Sequence, residues 1–211
     1  MVTWVPPLLP VSTLEVPSSV NSCVLARVSS RDGLNLLQLN SSGFALTGSP
    51  AFSPDGQQVA FDARPDGHSP IFVVPAAGGS QQQLTSGNCN DILPRWSADG
   101  QLLYFASNRN GSWQSWTVAV HGGQVRQVTT NGGYLAMESP DRQWVYYTRG
   151  DAPGIWRVPL RGGPEERILF EPRTGYWGYW NVTRRGIYLL DDGRPAPRIV
   201  LYDPDAGKPP L

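Results

Sequence analysis

Short apolar runs separated by turn residues recur along most of the chain. Four of them stand directly after a turn, at residues 59–61, 102–105, 145–147 and 187–190. Short runs rich in Val, Leu, Tyr and Phe and bounded by turn residues are typical of buried β-strands. The alternation of strand and turn signals leaves little room for a helix. We therefore predict an all-β chain built from short strands.

The turn before each apolar run has a repeating sequence. It reads Ser-Pro-Asp-Gly at 53–56, Ser-Ala-Asp-Gly at 97–100 and Ser-Pro-Asp-Arg at 139–142. A degenerate copy of the turn, called the worn copy below, follows at 181–186. Pro presets φ, Ser and Asp bond nearby backbone groups, and Gly accepts a positive φ, so the sequence predicts a tight turn between two strands. The recurring carboxylates are interpreted as turn residues rather than as a catalytic or metal-binding pair. They are Asp55, Asp99 and Asp141.

The residue before each turn marks the period of the repeat. It recurs at spacings of 44, 42 and 42 residues, at Phe52, Trp96, Glu138 and Trp180. A period in the forties with strand and turn content predicts the blades of a β-propeller rather than helical repeats. Gly-Gly pairs at 78–79, 122–123 and 162–163 fall at equivalent places and predict a second tight hairpin in each blade.

The repeat divides the chain into blades of four antiparallel strands. The predicted units are 1–20 as a linker or ragged N-terminal segment, 21–48 as a partial blade, 49–90, 91–133 and 134–174 as complete blades, and 175–207 as a partial blade. Alternatively, residues 11–16 supply the first strand of the first blade. The four to five blades either close on themselves or belong to a larger propeller. Since unpaired edges are costly, we expect the larger propeller, with residues 199–201 on an exposed edge.

Beyond the turn, three segments resemble a known repeat. They are Ser-Asn-Arg-Asn-Gly-Ser-Trp-Gln at 107–114, Asp-Ala-Pro-Gly-Ile-Trp-Arg-Val-Pro at 151–159 and Gly-Tyr-Trp-Gly-Tyr-Trp at 175–180. Through the Ser-Pro-Asp-Gly turn and the segments 105–111 and 155–158, the chain resembles TolB-like, WD-repeat-like β-propellers over residues 23–205. Through the three segments above, it is more narrowly similar to the C-terminal propeller of bacterial winged-helix regulators of the CadC-like kind. The chain departs from the repeat at Arg142 and at Arg184-Arg185, where Gly and Asp-Gly are expected.

The resemblance implies a scaffold for recognition rather than catalysis. We expect a non-enzymatic domain that binds a protein partner or a small ligand, as the sensory part of a bacterial transcriptional regulator. Because the chain carries no winged helix, direct contact with nucleic acid is not implied. Two alternatives stay open: the N-terminal gating propeller of a prolyl-oligopeptidase-like peptidase, and a periplasmic TolB-like assembly partner.

Composition adds few constraints. The 17 basic and 17 acidic residues balance, so no global charge favours nucleic acid or an anionic membrane. No apolar run approaches the length of a membrane span, and residues 1–7 lack the features of a signal peptide. We expect a soluble chain, cytoplasmic or periplasmic. Cys23 and Cys89 are too few for a disulfide framework, and whether they pair stays open.

Candidate catalytic and metal-binding residues are sparse. His68 and His121 lie in Gly-rich connections at different repeat positions, which is typical of solvated loop residues. No nucleophile elbow, phosphate loop or zinc spacing occurs, so we expect no catalytic residue, metal or cofactor. The acidic pairs at Asp62 with Asp66 and at Asp191-Asp192 offer oxygen ligands for Ca²⁺, but loop solvation is the favoured interpretation.

Three arginines follow the second strands of successive blades, at Arg64, Arg109 and Arg149. They are predicted either to line one rim as an anion- or carboxylate-binding ring or, as we favour, to bridge adjacent blades through ion pairs. Five tryptophans mostly follow the strand period, so we expect them to pack between blades rather than to form a ligand cage. They are Trp113, Trp116, Trp156, Trp177 and Trp180.

Overall fold

The computed structural model describes residues 11–14, 24–28, 36–39, 47–170, 178–191, 196–204 and 206. These residues contain eighteen strands and no helix, which confirms the all-β prediction. None of the described segments therefore forms a helix that could cross a membrane.

The strands form five antiparallel sheets in chain order, and within each sheet neighbours in sequence are hydrogen-bonded neighbours. Three sheets have four strands, as predicted for complete blades. The second sheet contains β4 Thr47–Phe52, β5 Gln58–Ala63, β6 Ile71–Pro75 and β7 Gln82–Gln83. The third contains β8 Asp91–Trp96, β9 Leu102–Ser107, β10 Gln114–Ala119 and β11 Arg126–Gln127. The fourth contains β12 Ala136–Glu138, β13 Trp144–Thr148, β14 Ile155–Pro159 and β15 Glu166–Leu169.

The first and fifth sheets have three strands each within the described residues. The first contains β1 Val11–Leu14, β2 Val24–Val28 and β3 Leu36–Gln38, and the fifth contains β16 Trp180–Thr183, β17 Gly186–Asp191 and β18 Arg198–Tyr202. Strand β1 pairs with β2 from Val11 opposite Arg27 to Leu14 opposite Val24. This corrects the linker interpretation for these four residues, because the segment supplies the first strand of its sheet.

The repeated Ser-Asp turn joins the first and second strands of the three complete blades through the same hydrogen bonds. In the second sheet Ser53 Oγ donates to Asp55 Oδ1, Gln57 N donates to Asp55 Oδ1 at 3.0 Å and Gln58 N donates to Ser53 Oγ at 2.9 Å. Equivalent bonds recur around Ser97 with Asp99 and around Ser139 with Asp141. The fourth turn residue has a positive φ in each copy, at Gly56, Gly100 and Arg142. Arg142 therefore keeps the turn geometry despite replacing Gly.

The worn copy of the turn has a different geometry. Strands β16 and β17 are joined by Arg184-Arg185 alone, with Thr183 directly opposite Gly186. In the fourth sheet, five residues (139–143) separate β12 from β13. Gly186 has φ 123°, and a Cβ there would collide with the carbonyl oxygen of Tyr202, so this tight hairpin requires glycine.

The apolar core is a series of layers, each between two neighbouring sheets. Strand β5 shows how period-2 side chains produce this. Val59 and Phe61 belong to the cluster that contains Leu39 of the first unit, whereas Ala60 packs with Leu103 and Phe105 of the third sheet. Further layers lie between the third and fourth sheets and between the fourth and fifth. Burial on both faces explains why the middle strands are nearly continuous apolar runs.

Strand β18 is the outer strand of the fifth sheet within the described residues. Ile199 is 76% exposed and Leu201 is 44% exposed, whereas Val200 packs against the core layer. The prediction of an exposed apolar edge is therefore confirmed for Ile199 and Leu201 and is wrong for Val200.

Candidate functional site

The arginines predicted to line a rim are held in different ways, and Arg109 is tied into its own sheet. Its Nη2 lies 2.9 Å from Oδ2 and 3.0 Å from Oδ1 of Asp91, whose side chain is 1% exposed. Its Nε donates to Ser107 Oγ at 3.0 Å, and its guanidinium lies 5.2 Å from the centre of the Trp116 ring. Its donors are thus directed at groups of the same sheet rather than at a ligand.

Arg149 is held in a similar way in the fourth sheet. Its Nη2 lies 2.7 Å from Glu165 Oε2, and its guanidinium lies 3.5 Å from the centre of the Trp156 ring. Burial raises the pKa of the Glu165 carboxyl, but the hydrogen bonds that it accepts from Thr130 N and the Asn131 amide have the larger combined effect. The pKa of Glu165 is therefore below its ordinary value. The carboxylate is therefore charged when it meets Arg149.

Arg64 differs from the other two because its side chain is exposed. For Arg109 and Arg149 the structure shows an arrangement that neither interpretation described, whereas the two interpretations of Arg64 stay predictions. Arg109 and Arg149 form ion pairs within their own sheets, so they neither bridge adjacent blades nor present free donors as part of an anion-binding ring.

The remaining candidate residues are not brought together. His68 lies in the connection between β5 and β6 and His121 in the turn between β10 and β11, at opposite ends of the blades, and both are exposed.

The acidic residues considered for Ca²⁺ are not brought together either. Asp62 is half-buried and its carboxylate accepts a hydrogen bond from Leu93 N at 3.3 Å, whereas Asp66 is exposed. Among the described residues no group of His, Cys, Asp and Glu suits a metal ion. Asp192 lies outside those residues, as does Cys23, whereas Cys89 is a buried thiol.

The predicted tryptophans lie mainly in the layers between sheets. Trp116 and Trp156 pack against core layers on either side of the third sheet, and Trp180 is buried between the fourth and fifth sheets. Trp113 instead packs on the Tyr134 ring with centres 5.1 Å apart. Trp177 lies outside the described residues.

The Ser-Asp turns and the Gly-Gly turns share one end of the blades, which we call the turn face. Grooves run between neighbouring blades at this face, and two of them are closed. Between the second and third sheets, Pro54 lies against Gly100. Between the third and fourth sheets, Arg142 Nη2 reaches across to Asp99 Oδ2 at 2.8 Å.

The hydrogen-bond network of Arg142 continues into the core through Glu138 and Tyr104. Arg142 Nε donates to Glu138 Oε1 at 3.2 Å, and Tyr104 OH donates to Glu138 Oε2 at 2.8 Å. The Glu138 side chain is 1% exposed, so its two partners satisfy a carboxylate that is out of contact with water. Burial, with the Glu138 hydrogen bond second, raises the pKa of the Tyr104 phenol, which keeps it protonated as the donor.

The next groove on the turn face, between the fourth and fifth sheets, is open. It has a volume of about 560 Å³ and is lined by Ser139, Pro140, Asp141, Tyr146, Val182, Thr183, Arg184, Arg185, Gly186, Ile187, Asp203 and Pro204. We call it the turn groove. The Arg184-Arg185 turn has two residues where the neighbouring turn has five, and no described side chain crosses the groove as Arg142 crosses the previous one.

Asp141, Arg184 and Arg185 line the turn groove, and none of the three has an ion-pair partner among the described residues. Asp141 uses Oδ1 for the turn, and no described residue binds its Oδ2. The hydrogen bond from Ser139 holds the pKa of the Asp141 carboxyl below its ordinary value, so it is charged at neutral pH. The side chains of Arg184 and Arg185 are exposed and have no ion-pair partner among the described residues. The turn groove is therefore the best candidate binding site.

Sequence reasoning missed this site, although its signal was present. The replacement of Asp-Gly by Arg184-Arg185 marked a changed turn. The groove that results depends also on the turn of the neighbouring blade, which lies 42 residues earlier in the chain. Only the fold places the two turns side by side.

Comparison with known proteins identifies the repeat. The family described as TolB beta propeller domain matches residues 35–153, more than half of the chain. No curated protein matches significantly.

Solved structures share the fold at low identity. A putative TolB from Agrobacterium tumefaciens is 21% identical, with a TM-score of 0.73 over 88% of this chain and 72% of its own. A puromycin hydrolase is 16% identical, with a TM-score of 0.65 over 96% of this chain and 38% of its own. An oligogalacturonate lyase in complex with manganese is 17% identical, with a TM-score of 0.60 over 84% of this chain and 53% of its own. The chain thus spans about two fifths to three quarters of these proteins.

These likenesses support the TolB-like repeat at the level of the fold. They do not show the closer resemblance to the propellers of winged-helix regulators, nor a WD-repeat relationship. The repeated Ser-Asp turn, the four-stranded blades and the match over 35–153 agree with one another. The chain belongs to the TolB beta propeller domain family.

Proposed function

We propose that this chain is a non-enzymatic recognition domain that binds a protein partner or a small ligand in the turn groove. The observation that carries the proposal is the open groove of about 560 Å³ lined by Asp141, Arg184 and Arg185, which have no ion-pair partner within the described part of the chain, next to a groove closed by an ion pair. Pockets of this size with a few convergent polar groups are typical of binding sites. The rigid sheets on both sides hold those groups in place.

The arrangement of ionisable groups supports binding rather than catalysis. The two histidines lie at opposite ends of the blades, so they do not form an acid-base pair. Asp141 holds its turn, and its lowered pKa keeps it ionised, which suits a carboxylate that binds a cation. Arginine stays charged and presents several donors, which suits recognition of an anion.

Three kinds of host protein are compatible with such a domain: a transcriptional regulator, a peptidase with a gating propeller, and a TolB-like assembly partner. The likeness to a putative TolB and to a puromycin hydrolase supports the last two more than the first. In each of them the propeller would present its turn face to a partner, a neighbouring domain or a ligand.

Nuclear magnetic resonance of the isotope-labelled chain tests the proposal. The probe is an equimolar mixture of tripeptides of mixed charge, kept with the protein for a day and then analysed by mass spectrometry. We expect intact peptides and chemical-shift changes concentrated at residues 139–141 and 183–187. Hydrolysis that is lost in His68→Ala or His121→Ala would identify an enzyme. Shift changes confined to the opposite end of the blades would place recognition elsewhere.

A further inference from the structure

We propose that the turn groove takes a zwitterionic ligand, an amino acid or short peptide whose cationic group binds Asp141 and whose carboxylate binds Arg184 and Arg185. This inference rests on the proposed function of the groove as a binding site and adds the chemical class of the ligand.

The closed neighbouring groove shows what Asp141 is placed to bind. In that groove, Asp99 uses Oδ1 for its turn, while its Oδ2 accepts the Arg142 guanidinium at 2.8 Å. Asp141 repeats the same turn bonds with Oδ1, so its Oδ2 has the equivalent place in the turn groove. No described side chain supplies the cation there. A guanidinium or ammonium group of a ligand would occupy the position that Arg142 occupies next door.

The facing wall of the groove selects an anion. Arg184 and Arg185 form the whole of the turn between β16 and β17, so the hairpin holds their backbones in place. Guanidinium groups bind carboxylates through paired, charge-assisted hydrogen bonds, which are stronger than neutral ones. Two arginines on one short turn, neither with an ion-pair partner among the described residues, therefore suit the carboxylate of the same ligand.

The combination of signs excludes simpler ligands. A polyanion would meet Asp141 and Asp203 as well as the two arginines, and a simple cation would meet the arginines as well as Asp141. Like charges in a binding site act against the wrong ligand, so a groove of mixed sign favours a ligand of mixed sign.

Apolar side chains lie between the two charged walls. Tyr146 and Ile187 are buried members of the core layer, and Val182 packs against them at the groove. The methylene groups that separate the two charges of the ligand would cover this surface. The groove volume of about 560 Å³ is within the range of small-ligand sites.

Titration with ω-amino acids of increasing length tests the ligand class. The probes run from glycine to 6-aminohexanoate, with hexylamine and hexanoate as single-charge controls, and binding is followed by chemical shifts at residues 139–141 and 183–187. We expect one chain length to bind best, at least about tenfold more tightly than either control. A dipeptide series with free and amidated carboxyl termini then separates peptide ligands from free amino acids.

Matched variants identify the charges. Asp141→Asn keeps an Oδ1 acceptor for the turn and removes the charge, and Arg184→Gln with Arg185→Gln removes the anion site. We expect each to weaken binding of the best probe about tenfold or more, since each removes a charge-assisted hydrogen bond. Asp55→Asn and Arg126→Gln, outside the groove, are the controls and leave binding unchanged. If Asp141→Asn fails to fold, the titrations with ω-amino acids of different length and the arginine variants decide whether the groove binds a zwitterion.

Several outcomes would overturn the inference. Hexanoate binding as tightly as the best zwitterion would leave an anion site, and an unaffected Asp141→Asn variant would remove the cation site. If no ω-amino acid or dipeptide shifts the groove residues while the tripeptide mixture does, the ligand class is wrong and the recognition function stands. If neither shifts them, the proposed function of the groove fails as well.

Discussion

At the scale of single residues, Arg142 shows how a departure from the repeat is compensated. It has φ 60°, a conformation that costs a non-glycine residue about 1–2 kcal/mol. In return its guanidinium contacts Asp99 of the preceding turn and the buried Glu138. The residue links two blades at the place where glycine would only shape a turn.

A double-mutant cycle measures this compensation. Arg142→Gly removes the backbone strain but leaves Glu138 with Tyr104 as its remaining partner, so we expect the free energy of unfolding to fall by about 1 kcal/mol. In a Glu138→Gln background the same change should be neutral or stabilising, because no buried charge loses its partner. Denaturant unfolding of the four proteins gives the coupling. An equal loss in both backgrounds would assign the role of Arg142 to the turn or to Asp99 instead.

The turn carboxylates predict the response of the fold to acid. Hydrogen bonds from the preceding Ser lower the pKa of Asp55, Asp99 and Asp141 in the folded chain. A folded-state pKa below the unfolded value of about 3.9 stabilises the fold above that pH, and the stabilisation is lost as pH falls through the folded-state pKa. Asp62 acts in the opposite direction, because burial raises its pKa.

The combined variant Asp55→Asn, Asp99→Asn and Asp141→Asn isolates this effect. Asn keeps an acceptor at each turn but does not titrate, so the fall in melting temperature between pH 5 and pH 3 should be smaller than in the unmodified chain. Calorimetry across that range is the measurement. Equal pH dependence of the two proteins would show that other carboxylates control acid unfolding.

At the scale of elements, the two sides of β18 have different surroundings. Ile199 and Leu201 are exposed, while Val200 and Tyr202 face the layer shared with the fourth sheet. An outer strand with exposed apolar side chains and free backbone groups is a template for pairing with another chain. The element therefore packs against the core with one face and presents exposed apolar side chains on the other, and we expect the exposed face to favour association.

Substitution by Thr separates the two faces. Ile199→Thr with Leu201→Thr should reduce concentration-dependent association, measured by light scattering, with little change in melting temperature. Val200→Thr is the matched control on the inner face and should lower the melting temperature instead, because it places a hydroxyl against the core. Association that persists unchanged in the outer-face variant would show that another surface mediates it.

At the scale of the whole molecule, stability depends on how many faces of a sheet are covered. Each core layer is shared by two neighbouring sheets, so the second, third and fourth sheets are packed on both faces, whereas Ile199 and Leu201 are exposed on the fifth. In such an array the stability of a unit depends on its nearest neighbours.

Amide hydrogen exchange should reflect this order. We expect the slowest exchange in β5, β9 and β13, the second strands of the doubly covered sheets, and faster exchange in β18. Local openings expose singly covered elements before they expose the middle of the array. Uniform protection across these strands would mean that the described sheets unfold as one cooperative unit.

The fold and its period could be read from the sequence because their causes are local. The Ser-Asp turn closes through bonds between residues two and five positions apart, as at Ser53, Asp55 and Gln58. The middle strands are buried on both faces, so their sequences are nearly continuous apolar runs. The spacing of 42–44 residues reflects the repetition of one blade. The strand at 11–14 was harder to assign, since its partner Val24–Val28 lies across a connection without such a signal.

The site depended on contacts that the sequence does not display. Arg109 and Arg149 occupy equivalent repeat positions and were predicted to line a rim or to bridge adjacent blades, but the fold brings each to a carboxylate of its own sheet. These carboxylates, Asp91 and Glu165, lie 18 and 16 residues away in the chain. The turn groove lies where the two-residue turn of the fifth sheet stands beside the five-residue turn of the fourth, so Asp141 and Arg185, 44 residues apart in the chain, line the same groove. Local hydrogen bonding and periodic burial determined the blades, whereas packing between blades decided which charged side chains have an ion-pair partner among the described residues and which do not.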